Sequence, residues 1–129
     1  MDQHTSYEQT KNRECDFIVQ YCFFSEEEGG RKTGNPVQGY RSDFMYSGDE
    51  DKKQLWMIWP EFLDEKNNVI LDKSVRVSNS GKAKMWIINE ANHELHKSRI
   101  KIGLKGYFME GPRKVAECEV IQIVNLSLK

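Results

Sequence analysis

The sequence lacks any long apolar segment, since no run approaches the roughly 20 residues that a helix needs to cross a bilayer. Cysteine is scarce, with three residues and no C-x-x-C spacing, and no apolar secretory segment precedes them. We therefore expect reduced thiols in a cytoplasmic protein that does not bind membranes. Cys22 and Cys118 lie within predicted strands, which favours burial of both as small apolar side chains.

An excess of charge of one sign is also missing. The 19 Lys and Arg residues nearly balance 20 Asp and Glu residues, so bulk charge gives no general reason to expect binding to nucleic acid or to an acidic membrane. The two halves differ, because residues 1–65 carry 14 acidic and 7 basic side chains while residues 66–129 carry 6 and 12. If the fold interleaves strands from both halves, most of this asymmetry disappears.

Motifs for catalysis and cofactor binding are absent from the sequence. No G-x-x-x-x-G-K-[ST] run is present to bind nucleotide phosphates, and no Ser-His-Asp or Cys-His arrangement can be proposed from spacing. His93 and His96 are one residue too close for the H-E-x-x-H zinc motif, so we interpret the segment around them as a solvated loop. We assign no catalytic residue, no cofactor, no nucleotide and no metal ligand.

Short aromatic and β-branched runs are what the sequence does contain. The run 17–24 has the composition of a strand buried largely on both faces. Further strands are predicted at 41–46, 54–59, 84–89, 100–105 and 115–126. Pro60 ends the run 54–59, because proline cannot donate to a central ladder. No helical period extends over 11 or more residues, and six or more strands joined by glycine-rich loops predict an antiparallel sandwich or a closed barrel.

The domain organisation follows from the same patterns. Residues 1–14 are almost wholly polar, which predicts a disordered or poorly ordered tail. Residues 15–129 are predicted to form a single β-barrel domain, a length that buries a core without disulfides or metals.

The tryptophans allow two interpretations. Trp56 and Trp59 point to opposite faces of a regular strand, so one of them faces the core and the other is available at the surface. An exposed indole would mark a protein-binding patch, whereas core packing accounts for most tryptophans of this kind, Trp86 included.

Two glycine-containing motifs, one near each end of the chain, resemble a known family. Residues 26–33 read EEEGGRKT and are followed by GYR at 39–41, while residues 106–115 read GYFMEGPRKV. This ordered pair resembles the opening and the closing strands of the C-terminal β-barrel (domain III) of translation elongation factor Tu. The resemblance covers roughly residues 16–123 and implies an all-β fold, a closed antiparallel Greek-key-like barrel of about six strands.

The resemblance also implies where a partner binds. In the family, the two loops contribute to the surface that holds the T-stem backbone of aminoacyl-tRNA. Basic side chains and free amides suit phosphate recognition. The candidate residues for contact with a partner or with RNA are Arg31, Lys32, Thr33, Arg41, Glu110, Gly111, Arg113 and Lys114. In the alternative, structural interpretation, the glycines make turns and Arg31, Arg41 and Arg113 pair with nearby carboxylates.

Three functional hypotheses remain open at this point. The leading one is a non-enzymatic interaction module that docks a protein partner through a face or edge of the barrel. The second is RNA-backbone binding, tRNA-like, through the Arg31 and Glu110 loops. The third is a small-ligand binder or hydrolase whose residues converge only in three dimensions. A flat apolar patch would favour the first, a continuous basic surface the second, and a concave polar pocket the third.

Overall fold

The fold is a six-stranded antiparallel sheet that curls into a half-barrel. A computed structural model describes residues 3–126. The strands follow the order β2-β5-β6-β1-β4-β3, and every neighbouring pair is antiparallel. Their bounds are Phe17–Phe23 (β1), Asp43–Tyr46 (β2), Ile58–Phe62 (β3), Ser80–Ile87 (β4), Lys105–Glu110 (β5) and Arg113–Ile123 (β6). The β-rich fold expected from the short aromatic runs is therefore present.

The core lies on the inner face of the sheet. In β1, Phe17, Val19, Tyr21 and Phe23 are buried while Gln20 and Cys22 are exposed, so this strand alternates with period two. The prediction that β1 is buried largely on both faces is wrong for this reason. Cys118 is buried as expected. For Cys22 the prediction of a buried thiol is wrong, because its position in the alternation faces outward.

Two short α-helices accompany the sheet, α1 at Tyr7–Lys11 and α2 at His93–Arg99. Single 3-10 turns precede α2 at Glu90–Asn92 and follow β2 at Glu50–Lys52. The interpretation of the His93–His96 segment as a solvated loop is wrong. It forms α2 because the His96 ring packs inward, with 1% of the residue exposed, and Asn89 caps the preceding turn by accepting from the Ala91 amide.

Two further expectations about where strands begin and end are wrong. Pro60 lies inside β3 rather than ending a strand. Proline is tolerated there because β3 is an edge strand whose ladder runs to β4 alone. Residues 100–105 form no strand before Lys105. A turn occupies this segment, with the Leu104 amide donating to Lys101 O over 3.0 Å and the Gly103 amide donating to Val120 O over 2.8 Å.

One pair of backbone hydrogen bonds joins β2 to the residues that precede β3. The Phe44 amide donates to Trp56 O, and the Trp56 amide donates to Phe44 O, both over 2.9 Å. The bridge is isolated, because Trp56 lies two residues before β3 begins. This bridge brings Trp56 against the core, where it is half-buried.

The N-terminal segment lies against β3 and β4. His4 Nε2 is 2.6 Å from Glu61 Oε2, and the Tyr7 amide donates to the same oxygen over 2.8 Å. Further along, Arg13 donates to Ile87 O over 3.1 Å. The division of the chain into a tail of residues 1–14 and a single domain of residues 15–129 stays a prediction.

Candidate functional site

The two motif-bearing loops meet each other in the structure. Arg31 Nε donates to Glu110 Oε2 over 2.6 Å, and the Tyr40 hydroxyl donates to the same carboxylate oxygen. The Arg31 guanidinium also lies 5.2 Å from the centre of the Tyr40 ring. Arg113 donates to Gly30 O over 3.1 Å. Five residues from the two motifs therefore bind one another, which is the arrangement of a structural junction.

The ionisation of Tyr40 supports this junction. Burial raises the pKa of Tyr40 well above its ordinary value, and its hydrogen bond to Glu110 raises it further. The phenol therefore stays protonated at neutral pH and remains a donor to the carboxylate.

The second glycine of the first motif is required by close backbone packing. A Cβ on Gly30 would lie 2.2 Å from Phe24 O, and the Gly30 amide donates to Ser25 O over 2.8 Å. Gly29 is required for a different reason, since its φ of +98° belongs to the left-handed region. The pair thus shapes a tight reversal after β1 that presents Arg31 to Glu110.

The remaining predicted residues do not form a single group. Lys114 Nζ donates to Glu50 Oε2 over 2.9 Å and lies 4.0 Å from the Tyr107 ring centre, and the hydrogen bond to Glu50 raises the pKa of Lys114. Lys32, Thr33 and Gly111 are exposed.

Arg41 departs from the structural interpretation of the arginines. In the part of the chain that the structure describes it pairs with no carboxylate, and it stacks on Trp59 with its guanidinium 4.5 Å from the ring centre. The expectation of a carboxylate partner is wrong for Arg41, which contacts an indole of β3, and for Arg113, which among the described residues donates to Gly30 O. Trp59 and Trp56 are half-buried and Trp86 is fully buried, so none of the three indoles is exposed.

A surface crevice lies beside Gly111 and Lys114. We call it the methionine crevice; its apolar lining is Met45, Leu55, Met109 and Pro112, and its polar lining is Glu50, Lys53, Gly111 and Lys114. Met45 on β2 and Met109 on β5 lie diagonally across the ladder, because Met109 pairs with Asp43, two residues away from Met45. Both therefore point to the same face and form the floor of a cavity of about 360 Å³.

Comparison of the sequence with protein-family models and curated proteins adds nothing to this geometry. No protein-family model and no curated protein match the sequence. The resemblance to the elongation factor Tu barrel accordingly rests on the two motifs and stays a prediction. Within residues 3–126, no helix is both long and apolar enough to cross a membrane, and no group of three or more His, Cys, Asp and Glu side chains could hold a metal ion.

Buried ionisable residues are what sequence reasoning missed. Glu61 is fully buried and accepts from Trp86 Nε1 over 3.1 Å in addition to its contacts with His4 and Tyr7. The signal was available, since Glu61 is a charge inside the apolar run 58–63. Its partners could not be read from the sequence, because His4 lies 57 positions away.

Asp16 is the second buried carboxylate, and it lies in a small polar cleft that also contains His93. The Ile87 amide donates to Asp16 Oδ2 over 2.7 Å and Arg13 donates to both carboxylate oxygens over 3.2 Å. His93 Nε2 is 3.8 Å from Asp16 Oδ1, which exceeds hydrogen-bond length. Asp16 is thus occupied in joining β1 to β4, and the cleft offers no aligned acid and base pair.

Proposed function

We propose that the chain is a non-enzymatic interaction module that docks a protein partner through the face of the half-barrel that carries the methionine crevice. The observation that carries this proposal is the apolar lining of that crevice, in which Leu55 and Pro112 are accessible while Met45 and Met109 are buried. Two residues that the sequence motifs singled out, Gly111 and Lys114, lie at its rim.

The lining has the composition of a protein-docking site. Apolar residues form the floor and charged residues the rim, which is the usual division in protein–protein interfaces. Methionine side chains are unbranched and polarisable, so they adapt to the shape of an inserted side chain. Met45 and Met109 are each 4% exposed, so the crevice is held on packed strands rather than on loops alone.

The rim favours an acidic partner segment. Lys114 is paired with Glu50, whereas Lys53 has no ion-pair partner in the described part of the chain. Two ammonium groups and one carboxylate leave the rim with a positive balance. We infer that the occupant is a peptide segment of another protein that places a large apolar side chain in the crevice and acidic residues next to it.

We further propose that the half-barrel closes into a barrel similar to the C-terminal domain of elongation factor Tu. The support is the reciprocal pair of hydrogen bonds between Phe44 in the edge strand β2 and Trp56, which lies just before the other edge strand, β3. A second support is the contact between the two motif-bearing loops through Arg31 and Glu110.

RNA-backbone binding through the same loops is the weaker alternative. Arg31 is engaged with Glu110, Arg113 donates to Gly30 O and Lys114 pairs with Glu50. A carboxylate partner offsets the charge of Arg31 and of Lys114, and the bond to a carbonyl leaves Arg113 with fewer free donors for a phosphate. Of the basic residues Arg31, Lys32, Arg113 and Lys114, Lys32 alone has no hydrogen bond or ion pair among the described contacts.

Selection from a display library of random peptides tests the docking site. We expect the enriched peptides to combine a large apolar residue with Asp or Glu, and to lose binding to the variant Leu55→Asp. The matched control is Leu95→Asp, which makes the same change at an exposed leucine of α2 outside the crevice. Thermal unfolding of both variants establishes that they are folded. Peptides that bind Leu55→Asp as well as the unsubstituted protein would refute the site.

A further inference from the structure

A second cleft, distinct from the methionine crevice, lies between the N-terminal segment, the turn at 39–41 and β3. We call it the basic cleft. Its volume is about 610 Å³ and its lining residues are His4, Thr5, Tyr7, Thr10, Lys11, Gly39, Arg41, Trp59 and Lys73. It shares no lining residue with the methionine crevice. Small-molecule sites commonly have this size.

The charges in the basic cleft have one sign. Lys11, Arg41 and Lys73 carry fixed positive charges, and within residues 3–126 none of them forms an ion pair with a carboxylate. Likewise, no described carboxylate lines the cleft. Three unpaired cations in one concave site repel one another, and an anion between them would remove that cost.

Two carboxylates adjoin lining residues of the basic cleft, and both accept hydrogen bonds from uncharged or histidine donors. Glu61 lies behind His4, fully buried, and accepts from His4, Tyr7 and Trp86. Asp72, next to Lys73 in the chain, accepts from the Ser74 amide over 2.9 Å and from its hydroxyl over 2.6 Å. Within residues 3–126, neither carboxylate forms an ion pair with Lys11, Arg41 or Lys73.

Packing holds two of the cations in place. The Arg41 guanidinium is stacked on Trp59 at 4.5 Å, a contact that restricts its motion without neutralising its charge. Lys73 passes over Gly39, where a Cβ would lie 3.3 Å from Lys73 Cε. The glycine, with φ of +97°, leaves the space through which the lysine reaches the cleft.

We propose that the basic cleft binds a small phosphorylated molecule of about nucleotide size. Arg41 and Lys73 contact the phosphate oxygens, Lys11 adds a third positive charge, and the hydroxyl of Thr5 supplies a neutral donor. More than one negative charge is needed to balance three cations, which favours a diphosphate or triphosphate over a simple carboxylate. Because His4 and Tyr7 contact Glu61, the N-terminal segment forms one side of the basic cleft. A cleft bounded on that side fits a compact ligand better than a long polymer.

Titration calorimetry of the full chain with pyrophosphate, ATP and orthophosphate tests this site. We expect ATP or pyrophosphate to bind, and binding to weaken by about tenfold or more in Arg41→Gln and in Lys73→Gln, which corresponds to the loss of one charged contact. The matched control is Lys105→Gln, which removes an exposed lysine of β5 that does not line the cleft and should leave the affinity unchanged.

Three results would overturn the proposal. The first is the absence of any heat with these phosphates at millimolar concentration. The second is an equal affinity in all four proteins. The third is binding of a single-stranded RNA oligonucleotide that depends on Arg41 while ATP and pyrophosphate do not bind, because this would assign the cleft to nucleic acid. Loss of peptide binding in Leu55→Asp leaves this test unaffected, since the two sites are separate.

Discussion

At the scale of single residues, buried polar groups decide how the smaller elements attach to the sheet. The His96 ring links α2 to β2, because its Nδ1 lies 2.6 Å from the Tyr46 hydroxyl and its ring meets Trp56 edge to face at 4.8 Å. Arg99 from the same helix stacks on Tyr46 at 3.8 Å and pairs with Asp49 at 2.8 Å. His96 and Arg99, three residues apart in α2, thus make the contacts that attach this helix to β2 and to Asp49.

The ionisation of His96 makes stability depend on pH. Burial lowers the pKa of His96 from 6.5 to about 4, and the positive charges of Arg99 and His93 act in the same direction. The unfolded chain therefore binds a proton on this residue between pH 6.5 and pH 4 while the folded chain does not. Stability is fully present above pH 6.5 and falls by up to about 3 kcal/mol as the pH drops through this window.

Chemical denaturation at a series of pH values measures this effect. The variant His96→Gln should lose much of the slope between pH 6.5 and pH 4, relative to its own stability at neutral pH. His93→Gln, which changes a partly exposed histidine of the same helix, should keep most of it. An undiminished slope in His96→Gln would contradict the assignment.

Gly30 is the second residue whose role can be measured directly. Gly30→Ala forces a Cβ to within 2.2 Å of Phe24 O, so the reversal after β1 must shift, and we expect a loss of more than about 2 kcal/mol. Gly29→Ala meets no atom within 4 Å and carries only the cost of its positive φ, about 1 kcal/mol. Equal losses in the two variants, measured by urea unfolding, would show that the close contact is not decisive.

At the scale of elements, the sequence predicted strands better than it predicted where they end. The alternation in β1 and the run in β6 are local signals, so both strands were found. The edge position of β3, which lets Pro60 remain inside it, depends on a strand order that no local pattern carries. The helix α2 was missed for a similar reason, since seven residues have little intrinsic helical stability and this helix depends on the packing of His96.

The connection between the two edge strands gives a prediction at this scale. If Phe44 and Trp56 keep their reciprocal hydrogen bonds in solution, both amides should exchange with deuterium much more slowly than the amide of Met57. Among the described contacts, Met57 has no backbone acceptor for its amide, and it is 50% exposed. Hydrogen exchange followed by NMR resolves the three amides. Fast exchange at Phe44 and Trp56 would contradict closure of the half-barrel.

At the scale of the whole molecule, the strand order interleaves the two oppositely charged halves of the chain. Ion pairs join the acidic first half to the basic second half at Glu8–Lys84, Asp49–Arg99 and Glu50–Lys114. The sheet places β1 between β6 and β4, so strands from the two halves are neighbours. Interleaving of this kind was one of the two outcomes that the sequence left open.

The candidate sites were less accessible to sequence reasoning than the fold. The motifs located Gly111 and Lys114 but gave no indication of Met45 or Leu55, because a crevice between β2 and β5 is formed by residues about 60 positions apart. The same motifs pointed to Arg31 and Glu110, which bind each other. The two motifs thus identified two loops that contact each other. The docking surface that we propose is formed by residues that pack beside those loops.

Affinity purification of the tagged protein from its own host, with Leu55→Asp and Leu95→Asp in parallel, tests the docking surface most directly. Both protein and RNA in the eluates are identified. The account predicts a protein that is retained by the unsubstituted chain and by Leu95→Asp and is lost from Leu55→Asp, with no RNA enriched. Retention of the same protein by Leu55→Asp, or an eluate dominated by RNA in all three samples, would contradict it.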